Sequence, residues 1–347
     1  MYGRTSSGFL GALLFLISLL YGMAVSLRTR AFGCGLMRTR TLPVPVISVG
    51  NITLGGTGKT PATVNIAGIL LKHGRKPVVL SRGYGRSDPS AVLVVSDGIS
   101  MVLDSASGGD EPVLIARRHP RVPVVVGADR YRTGTVAIER FHPDIAILDD
   151  GFQHIRLKRD LNIVLIDAVD PFGSGRLFPA GILREPLTAL RRADIVLITR
   201  ADRNENIVQL KETVGQHTDA PIFTARYVPR DIVDVATGET KPLDFLAGKP
   251  LFAFAGIARP DSFYSLLKTL GAVVTGTAVY PDHHSYTKSD LAALVRQAGE
   301  RNAALLATTE KDGVRLKDMA PKGIWAVRID LEVIESSAWE ETLLNAL

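Results

Sequence analysis

The segment that decides the fold is Thr53-Leu54-Gly55-Gly56-Thr57-Gly58-Lys59-Thr60. It lies between an apolar, β-branched run (44–49) and a helical pattern over about 59–73. Glycines allow backbone N–H groups to surround phosphate oxygens, while a lysine reaches the β and γ phosphates and a threonine hydroxyl binds Mg²⁺. The segment therefore predicts a phosphate-binding P-loop, in which Thr53 replaces the usual first glycine.

Short apolar strands alternate with helical patterns on the carboxyl side of this loop. The predicted strands are 76–80, 91–95, 122–126, 145–148, 161–166 and 195–199, and the predicted helices include 111–118 and 130–141. Strands separated by helices form parallel crossovers, so we predict an α/β fold with a doubly wound, mostly parallel sheet like that of P-loop NTPases. A polar, irregular stretch at 226–248 predicts a linker, and strands at 250–255 and 303–307 predict a second, smaller α/β domain.

The amino-terminal segment 9–27 differs in composition from the rest of the chain. The 347-residue protein is 46% hydrophobic and 22% charged, which is typical of an enzyme with about two domains, and its single cysteine excludes a disulfide scaffold. Residues 9–27 carry no charge and supply most of the positive mean hydropathy of +0.16. As a helix these 19 residues would be about 28 Å long, close to the thickness of a hydrocarbon core.

Positive charge is concentrated near this segment, since residues 1–87 hold eleven Lys and Arg but no Asp or Glu. Four arginines follow the apolar run and one precedes it: Arg28, Arg30, Arg38 and Arg40, against Arg4. This asymmetry predicts a membrane helix whose following domains are cytoplasmic. The arginines either contact anionic lipid or serve only as topology signals. We predict a membrane anchor (1–30), a P-loop domain (31–228) and a smaller carboxyl-terminal domain (229–347).

Two competing interpretations of the apolar segment are disfavoured by the same residues. A cleaved signal peptide would place small residues at a cleavage site where arginines stand, and a buried core helix would not be apolar on every face of a terminal segment.

Carboxylates mark two further places along the chain. The strand at 145–148 ends in Asp149-Asp150, the form of a Walker B element, and parallel strands place such residues at the same edge as the P-loop. One of these carboxylates can bind Mg²⁺, whereas the alternative is a simple turn. Asp110-Glu111 precedes a predicted helix, where Asp110 acts either as a helix cap or as a base that takes a proton from an acceptor hydroxyl.

Two weaker motifs add limits. In Asp282-His283-His284 the adjacent histidines point in different directions, which disfavours a two-histidine metal site, while an Asp beside a His can tune an acid–base imidazole. The stretch 199–202 differs at two positions from the guanine-binding Asn-Lys-x-Asp element, which disfavours GTP as the nucleotide.

Seven ordered stretches together resemble the lipid A 4′-kinases (tetraacyldisaccharide 4′-kinases) of Gram-negative bacteria. They are Val49-Gly50-Asn51 through Thr60-Pro61, Ser81-Arg82-Gly83-Tyr84, Gly109-Asp110-Glu111-Pro112, Asp149-Asp150-Gly151-Phe152-Gln153-His154, Pro179-Ala180-Gly181-Ile182-Leu183-Arg184-Glu185-Pro186, Asp282-His283 and Thr308-Thr309-Glu310-Lys311-Asp312. The resemblance covers nearly the whole chain, and Thr53 fits it, because Ser or Thr is usual there in this family.

The resemblance implies transfer of the γ-phosphoryl group of ATP to the 4′-hydroxyl of a membrane-embedded tetraacyldisaccharide 1-phosphate, giving lipid IVA at the cytoplasmic face of the inner membrane. By the same resemblance Lys59 and Thr60 hold phosphate and Mg²⁺, and Asp149 and Asp150 organise the metal. It further implies that Asp110 is the base with His283 as its partner, and that Arg184 and Glu185 lie in the active-site cleft. We expect the second domain to carry His283 across that cleft.

Two other functions remain open at this point. A membrane-tethered ATPase that regulates a protein partner usually has a lysine where Leu54 stands, and a soluble-substrate kinase would carry the anchor incidentally. We expect no nucleic-acid partner, and the sequence specifies no protein partner.

Overall fold

The computed structural model describes residues 8–83, 91–317 and 319–347, so that Tyr84 lies outside the described residues. The helices are α1 (Phe9–Gly33), α2 (Lys59–Lys72), α3 (Ser105–Gly108), α4 (Asp110–Arg118), α5 (Arg130–Phe141), α6 (Ile207–Gly215), α7 (Pro260–Thr269), α8 (Lys288–Glu300), α9 (Glu310–Leu316) and α10 (Ser336–Asn345). The strands are β1 (Val46–Asn51), β2 (Pro77–Ser81), β3 (Leu93–Asp97), β4 (Pro123–Val126), β5 (Ile145–Asp149), β6 (Leu161–Asp167), β7 (Ile195–Thr199), β8 (Ile222–Asp234), β9 (Thr240–Lys241), β10 (Pro250–Ala255), β11 (Val273–Val279), β12 (Leu305–Thr309) and β13 (Ile324–Val333).

All of these strands belong to one sheet, in the order β11-β10-β12-β13-β8-β7-β6-β1-β5-β2-β4-β3, with β9 beside β8. From β8 to β4 the neighbouring strands are parallel, and β3 is antiparallel at that edge. The second half, β10 to β13, is also parallel, and β13 joins it to β8 in antiparallel fashion. The predicted mostly parallel α/β sheet is confirmed.

The prediction of a linker at 226–248 is wrong. The strand β8 covers much of this stretch, pairing with β7 at its beginning and with β13 along most of its length. Its charged side chains give it the composition of a loop, but in the structure they pair with charges on β13. Arg226 pairs with Glu332 at 2.9 Å and Asp231 with Arg328 at 2.5 Å. The expected boundary between residues 228 and 229 therefore falls inside a strand that both halves of the sheet share.

The carboxyl-terminal helix α10 returns to the P-loop half. The indole Nε1 of Trp339 donates to Oδ1 of Asn65 on α2 at 3.1 Å. The Trp339 ring is 1% exposed and meets Phe223 edge to face at 5.5 Å. A large buried aromatic of this kind is a main source of packing energy, so the chain end helps to stabilise the helix that begins at the P-loop.

Helix α1 is long and apolar enough to cross a membrane by length and composition, and one of its residues, Ser18, is buried. One flank nevertheless contacts the body of the protein. The Tyr21 hydroxyl donates to the Arg184 carbonyl at 2.9 Å, and Arg28 Nη2 donates to the Gln153 carbonyl at 3.0 Å. The helix is therefore docked beside a segment that also carries candidate site residues.

Candidate active site

The loop between β1 and α2 has the backbone of an anion-binding site. Gly55 and Gly58 adopt φ of +107° and +90°, a left-handed region that glycine enters without strain. Helix α2 begins directly after Gly58 with no side-chain cap, which leaves the amides of its first turn available. An uncapped helix amino terminus with its positive dipole end is suited to bind phosphate.

The Lys59 ammonium group lies beside the loop, near Asn51 and Asp150. Its Nζ is 3.4 Å from Oδ1 of Asn51 and 3.6 Å from Oδ1 of Asp150, and the side chain is 12% exposed. The Oγ1 of Thr57 is buried in the loop with no hydrogen-bond partner among the described residues. A phosphate-bearing ligand therefore fits this loop, because it offers acceptor oxygens to groups that the protein leaves unpaired.

Asp149 ends β5, the strand next to β1, and points into the interior below the P-loop. Its carboxylate accepts hydrogen bonds from Thr63 Oγ1 at 3.3 Å and Ser81 Oγ at 3.2 Å. Burial raises the pKa of Asp149 to about 7, and the nearby charges of Glu111 and Asp150 act in the same direction. A divalent cation would relieve this concentration of negative charge, so the residues present fit Mg²⁺.

Asp150 turns the chain away from the strand with a left-handed φ of +54°. Its carboxylate accepts a hydrogen bond from Arg184 Nη1 at 3.1 Å. Burial acts to raise the pKa of Asp150, but the charges of Lys59 and Arg184 outweigh it and hold that pKa below its usual value. Asp150 is therefore an anion that lies between the cations Lys59 and Arg184.

Glu185 does not share this position. Its buried carboxylate accepts from Gln153 Nε2 at 3.0 Å and pairs with Arg192 Nη2 at 2.5 Å. Gln153 also accepts from Arg184 at 3.4 Å through Oε1. Arg184 lines the cavity, whereas Glu185 lies behind it and helps to hold the Gln153 amide.

Asp110, from the first half of the sheet, meets His283, from the second half. Gly109, with φ of +89°, turns the chain so that Asp110 becomes the first residue of α4. The Asp110 Oδ2 is 3.3 Å from Nδ1 of His283, which comes from the loop between β11 and α8. The sequence suggested this pair only through the family resemblance, and the structure brings the two side chains together.

Two cations from α9 join this pair. Arg315 Nε donates to the same Oδ2 of Asp110 at 2.7 Å, and Lys311 Nζ is 3.2 Å from Nε2 of His283. Burial acts to raise the pKa of Asp110, but hydrogen bonds from His283 and Arg315 and the Arg315 charge lower it below its usual value. The carboxylate is therefore ionised at neutral pH despite its partial burial.

All these groups except Glu185 face or adjoin one cavity of about 1200 Å³ between the two halves of the molecule. The P-loop and Asp110 line it from the first half of the chain, and His283 and Lys311 line it from the second. Within residues 8–83, 91–317 and 319–347 no three His, Cys, Asp or Glu side chains form a complete metal cage.

The family model described as LpxK, tetraacyldisaccharide-1-P 4′-kinase, matches residues 10–347. The chain belongs to this family. It is 44% identical over 346 residues to a tetraacyldisaccharide 4′-kinase of Syntrophus aciditrophicus, covering 96% of this chain and 92% of the relative. It is also 44% identical over 305 residues to that of Geobacter metallireducens, covering 88% of each.

A crystal structure of LpxK from Aquifex aeolicus in complex with ATP has the same architecture. It superposes with a TM-score of 0.79 at 31% identity, covering 95% of this chain and 97% of that chain. The family membership predicted from the ordered motifs is confirmed.

In this member of the tetraacyldisaccharide 4′-kinase family, several contacts at the site had no signal in the sequence. Arg315 lies outside the motifs of the resemblance. Lys311 lies inside the stretch 308–312, but the resemblance assigns it no role. Arg200 donates to the Gly56 carbonyl of the P-loop at 3.2 Å and forms an ion pair with Asp167. Arg200, at a position where the guanine-binding element has a different residue, therefore braces the P-loop.

The second histidine of the 282–284 stretch is turned away from Asp110. His284 Nε2 contacts Asp290 on α8 at 3.2 Å, and its ring stacks on Tyr280 at 4.7 Å. The two histidines face different partners, as expected for adjacent residues.

Proposed function

We propose that this protein is the ATP-dependent kinase that phosphorylates the 4′-hydroxyl of a tetraacyldisaccharide 1-phosphate in lipid A biosynthesis. The observation that carries this is the presence of a P-loop and an ionised carboxylate, Asp110, in the lining of one cavity. A nucleotide and an alcohol can meet there with phosphate on one side and a proton acceptor on the other. The family match over residues 10–347 supplies the identity of the alcohol.

Lys59 and the amides of 53–60 hold the phosphates of ATP, with Thr60, Asp149 and Asp150 in position to hold Mg²⁺. When bound, Mg²⁺ supplies charge that stabilises the transferring phosphoryl group. Arg184 fixes Asp150 through its hydrogen bond at 3.1 Å. These residues orient the γ-phosphoryl group and offset the charge that it develops during transfer.

Asp110 accepts the proton of the 4′-hydroxyl while the hydroxyl oxygen bonds to the γ-phosphorus and the bond from that phosphorus to the β–γ bridging oxygen breaks. The products are the phosphorylated disaccharide and ADP. His283, 3.3 Å from Asp110, stabilises the carboxylate before transfer and provides a neighbouring site for the proton afterwards.

We also propose that α1 inserts into the cytoplasmic leaflet of the bacterial inner membrane without crossing it. Its contacts with the body run from Phe15, whose ring lies 5.5 Å from the Arg176 guanidinium, to Arg28. That interval is about 20 Å long, and the helix before it is about 9 Å long, far short of a 30 Å hydrocarbon core. One flank faces the protein, leaving the opposite apolar flank for lipid, as in monotopic proteins.

The domain division that we propose keeps the anchor at 1–30 and two halves that meet within β8, near residues 228 and 229. The end of β13 and α10 then belong with the P-loop half, because Leu331, Val333 and Trp339 share its hydrophobic core. Limited proteolysis tests this division: α10 is expected to remain with the P-loop fragment after cleavage elsewhere in the second half.

The kinase assignment is tested by incubating the detergent-solubilised protein with γ-labelled ATP and the acylated disaccharide 1-phosphate. Label is expected in the lipid product, and Lys59→Ala serves as the inactive control. A membrane-tethered ATPase would release the label only as free phosphate, and a kinase for soluble alcohols would label those without the lipid. Either result would contradict the proposed function.

A further inference from the structure

Helices α4 and α9 are joined by two ion pairs, one at each end of α4. Asp110 begins α4 and contacts Arg315 near the end of α9 at 2.7 Å, while Arg118 ends α4 and lies 2.8 Å from Glu310, which begins α9. Because each helix offers an acid at its amino end and an arginine toward its carboxyl end, the pairing matches both helix dipoles. The two pairs are about 12 Å apart along α4.

These pairs are shielded from solvent, unlike ordinary surface ion pairs. The two arginine side chains are each 5% exposed, and the acids are 18% exposed for Asp110 and 16% for Glu310. Exposed pairs contribute little because side-chain entropy and salt cancel most of the attraction. Removing one partner of a shielded pair is costly, because the other charge then stays buried without a partner.

Arg315 is itself held in place on its other side. Its Nη1 donates to Oδ1 of Asp312 at 2.9 Å and to the Gly256 carbonyl at 3.2 Å. Asp312 is fully buried and also accepts from the Gly256 amide at 3.1 Å and from Thr309 at 2.6 Å. The guanidinium therefore presents Nε to Asp110 from a fixed frame, which a flexible ammonium could not reproduce.

Besides Arg315, charged and titratable side chains from several neighbouring elements lie near Asp110. His283 and Asp282 belong to the loop before α8, Lys311 to α9 and Glu111 to α4, while Lys59, Asp149 and Asp150 line the same cavity. Without a buried cation, the negative groups in this set would oppose ionisation of Asp110.

We propose that Arg315 is a positioning residue for phosphoryl transfer, holding Oδ2 of Asp110 so that Oδ1 accepts the proton of the acceptor hydroxyl. The Arg118–Glu310 pair fixes the far end of the same helix. The inference rests on the proposed function, in which Asp110 is the base. In this arrangement a residue of α9, in the second half of the molecule, orients the Asp110 side chain, which belongs to the first half.

The two pairs differ in expected strength. Burial raises the pKa of Glu310 to about 7, so that its pair with Arg118 is only partly charged near neutrality. Asp110 stays ionised, so its pair with Arg315 keeps its full charge. Substitutions of Arg315 are therefore expected to have the larger effect.

The test compares Arg315→Gln and Arg315→Lys with Arg296→Gln, a matched control whose guanidinium pairs with Glu300 on the exposed face of α8. Arg315→Gln is expected to lower kcat about 100-fold, as a misplaced reacting group does, with KM for ATP within threefold. The pKa of Asp110, followed by ¹³C NMR of labelled aspartate, should rise, and the acidic limb of the kcat profile should move to higher pH. Arg296→Gln should match the wild type in all three measurements.

Arg315→Lys keeps the positive charge but lacks the planar guanidinium that donates to two partners at once. It therefore separates the effect of position on catalysis from the effect of charge. We expect kcat to fall about tenfold while the titration of Asp110 stays near that of the wild type. This variant also preserves the test if Arg315→Gln does not fold. Unchanged kcat in Arg315→Lys, or a lower melting temperature in Arg315→Gln with no shift in the Asp110 titration, would overturn the proposal.

The titration distinguishes this inference from the proposed function. Wild-type protein that never labels the disaccharide would refute the function, while the Asp110 titration would still report on Arg315. Labelled product with unchanged kinetics in both Arg315 variants would refute the positioning role alone.

Discussion

The two sides of the cleft are built in opposite ways. The phosphate side is one continuous segment, 53–60, whose shape follows from a strand, two left-handed glycines and a helix start. The base side is assembled from Asp110, His283 and Arg315, and its contacts join residues 173 and 205 positions apart. Backbone conformation therefore determines the first side, whereas tertiary packing and side-chain pairing determine the second.

This difference predicts distinct responses to substitution. A change of side chain on the base side should impair transfer and leave nucleotide binding intact. A change of backbone freedom on the phosphate side should impair nucleotide binding first. Four experiments test that distinction.

The largest effect is expected from Asp110→Asn. Loss of the proton acceptor should lower kcat about 1,000-fold, while KM for ATP changes less than threefold, because the P-loop is untouched. Steady-state kinetics with the lipid acceptor measure both constants. Asp104→Asn, a nearby helix cap that accepts from the Ser107 amide, is the matched control and should be neutral, since asparagine caps equally well. A parallel rise in KM for ATP would show that the two sides are not independent.

Sequence patterns predict the phosphate side well, because its signals are local. The glycines, the lysine and the strand ending in Asp149-Asp150 all appear within short windows, and most of the predicted strands lie within two residues of the observed ones. The meeting of Asp110 with His283 could be expected only from the family resemblance.

Other features had no local pattern to reveal them. Arg315 reaches Asp110 across 205 positions of the chain, and no spacing rule links such residues. The stretch that forms β8 has the charged composition of a loop, and only its pairing with β13 shows that it is a strand. Glu185 follows Arg184 directly in sequence, yet its carboxylate lies outside the cavity lining and pairs with Arg192.

Gly58→Ala tests the phosphate side, with an expected loss of ATP affinity of about 100-fold from backbone strain at a single residue. Its φ is +90°, and an added Cβ would lie 1.8 Å from the Tyr227 hydroxyl oxygen. Calorimetry or nucleotide fluorescence measures the affinity. Adding Tyr227→Phe should restore part of it by removing the clashing atom, and Gly299→Ala on α8, where a Cβ meets open space, should be neutral. Full ATP affinity in Gly58→Ala would show that the loop backbone does not determine binding.

Asp149→Asn should expose the stability cost of the metal site. Unfolded Asp149 loses its proton near pH 3.9, whereas in the fold its pKa is raised to about 7. At this site the native state therefore holds more protons between these values, and the contribution of Asp149 to the stability of the nucleotide-free wild type falls as pH rises through that window. The variant lacks this slope, so its advantage over the wild type should grow from pH 4 to 7 and then level off.

Urea unfolding at several pH values measures this trend, and Asp97→Asn provides a control of opposite sign. Hydrogen bonds from the Ser100 and Ile99 amides lower the pKa of Asp97 in the fold, so that its ionisation adds stability as pH rises above the folded-state value. The Asp97 contribution changes only below the unfolded-state pKa near 3.9, so Asp97→Asn should be less stable than the wild type by a constant amount from pH 4 to 7, where the advantage of Asp149→Asn grows. Parallel pH curves for Asp149→Asn and the wild type would contradict the assigned pKa.

The smallest effect is expected from Tyr21→Phe, which asks whether α1 contributes to the cleft or serves only as the proposed membrane anchor. Removing the hydroxyl loses one hydrogen bond to the Arg184 carbonyl, worth about 1 kcal/mol, or roughly a fivefold change. Because that carbonyl belongs to the residue that fixes Asp150, lipid turnover in vesicles should fall by this factor with vesicle binding unchanged. The control is Tyr131→Phe, since its ring lies under the Arg40 guanidinium and its hydroxyl forms no hydrogen bond within the described residues. Equal turnover in Tyr21→Phe and Tyr131→Phe would reduce α1 to a tether. A selective loss in Tyr21→Phe would instead add a third, membrane-facing component to the side of the cleft that is assembled by tertiary contacts.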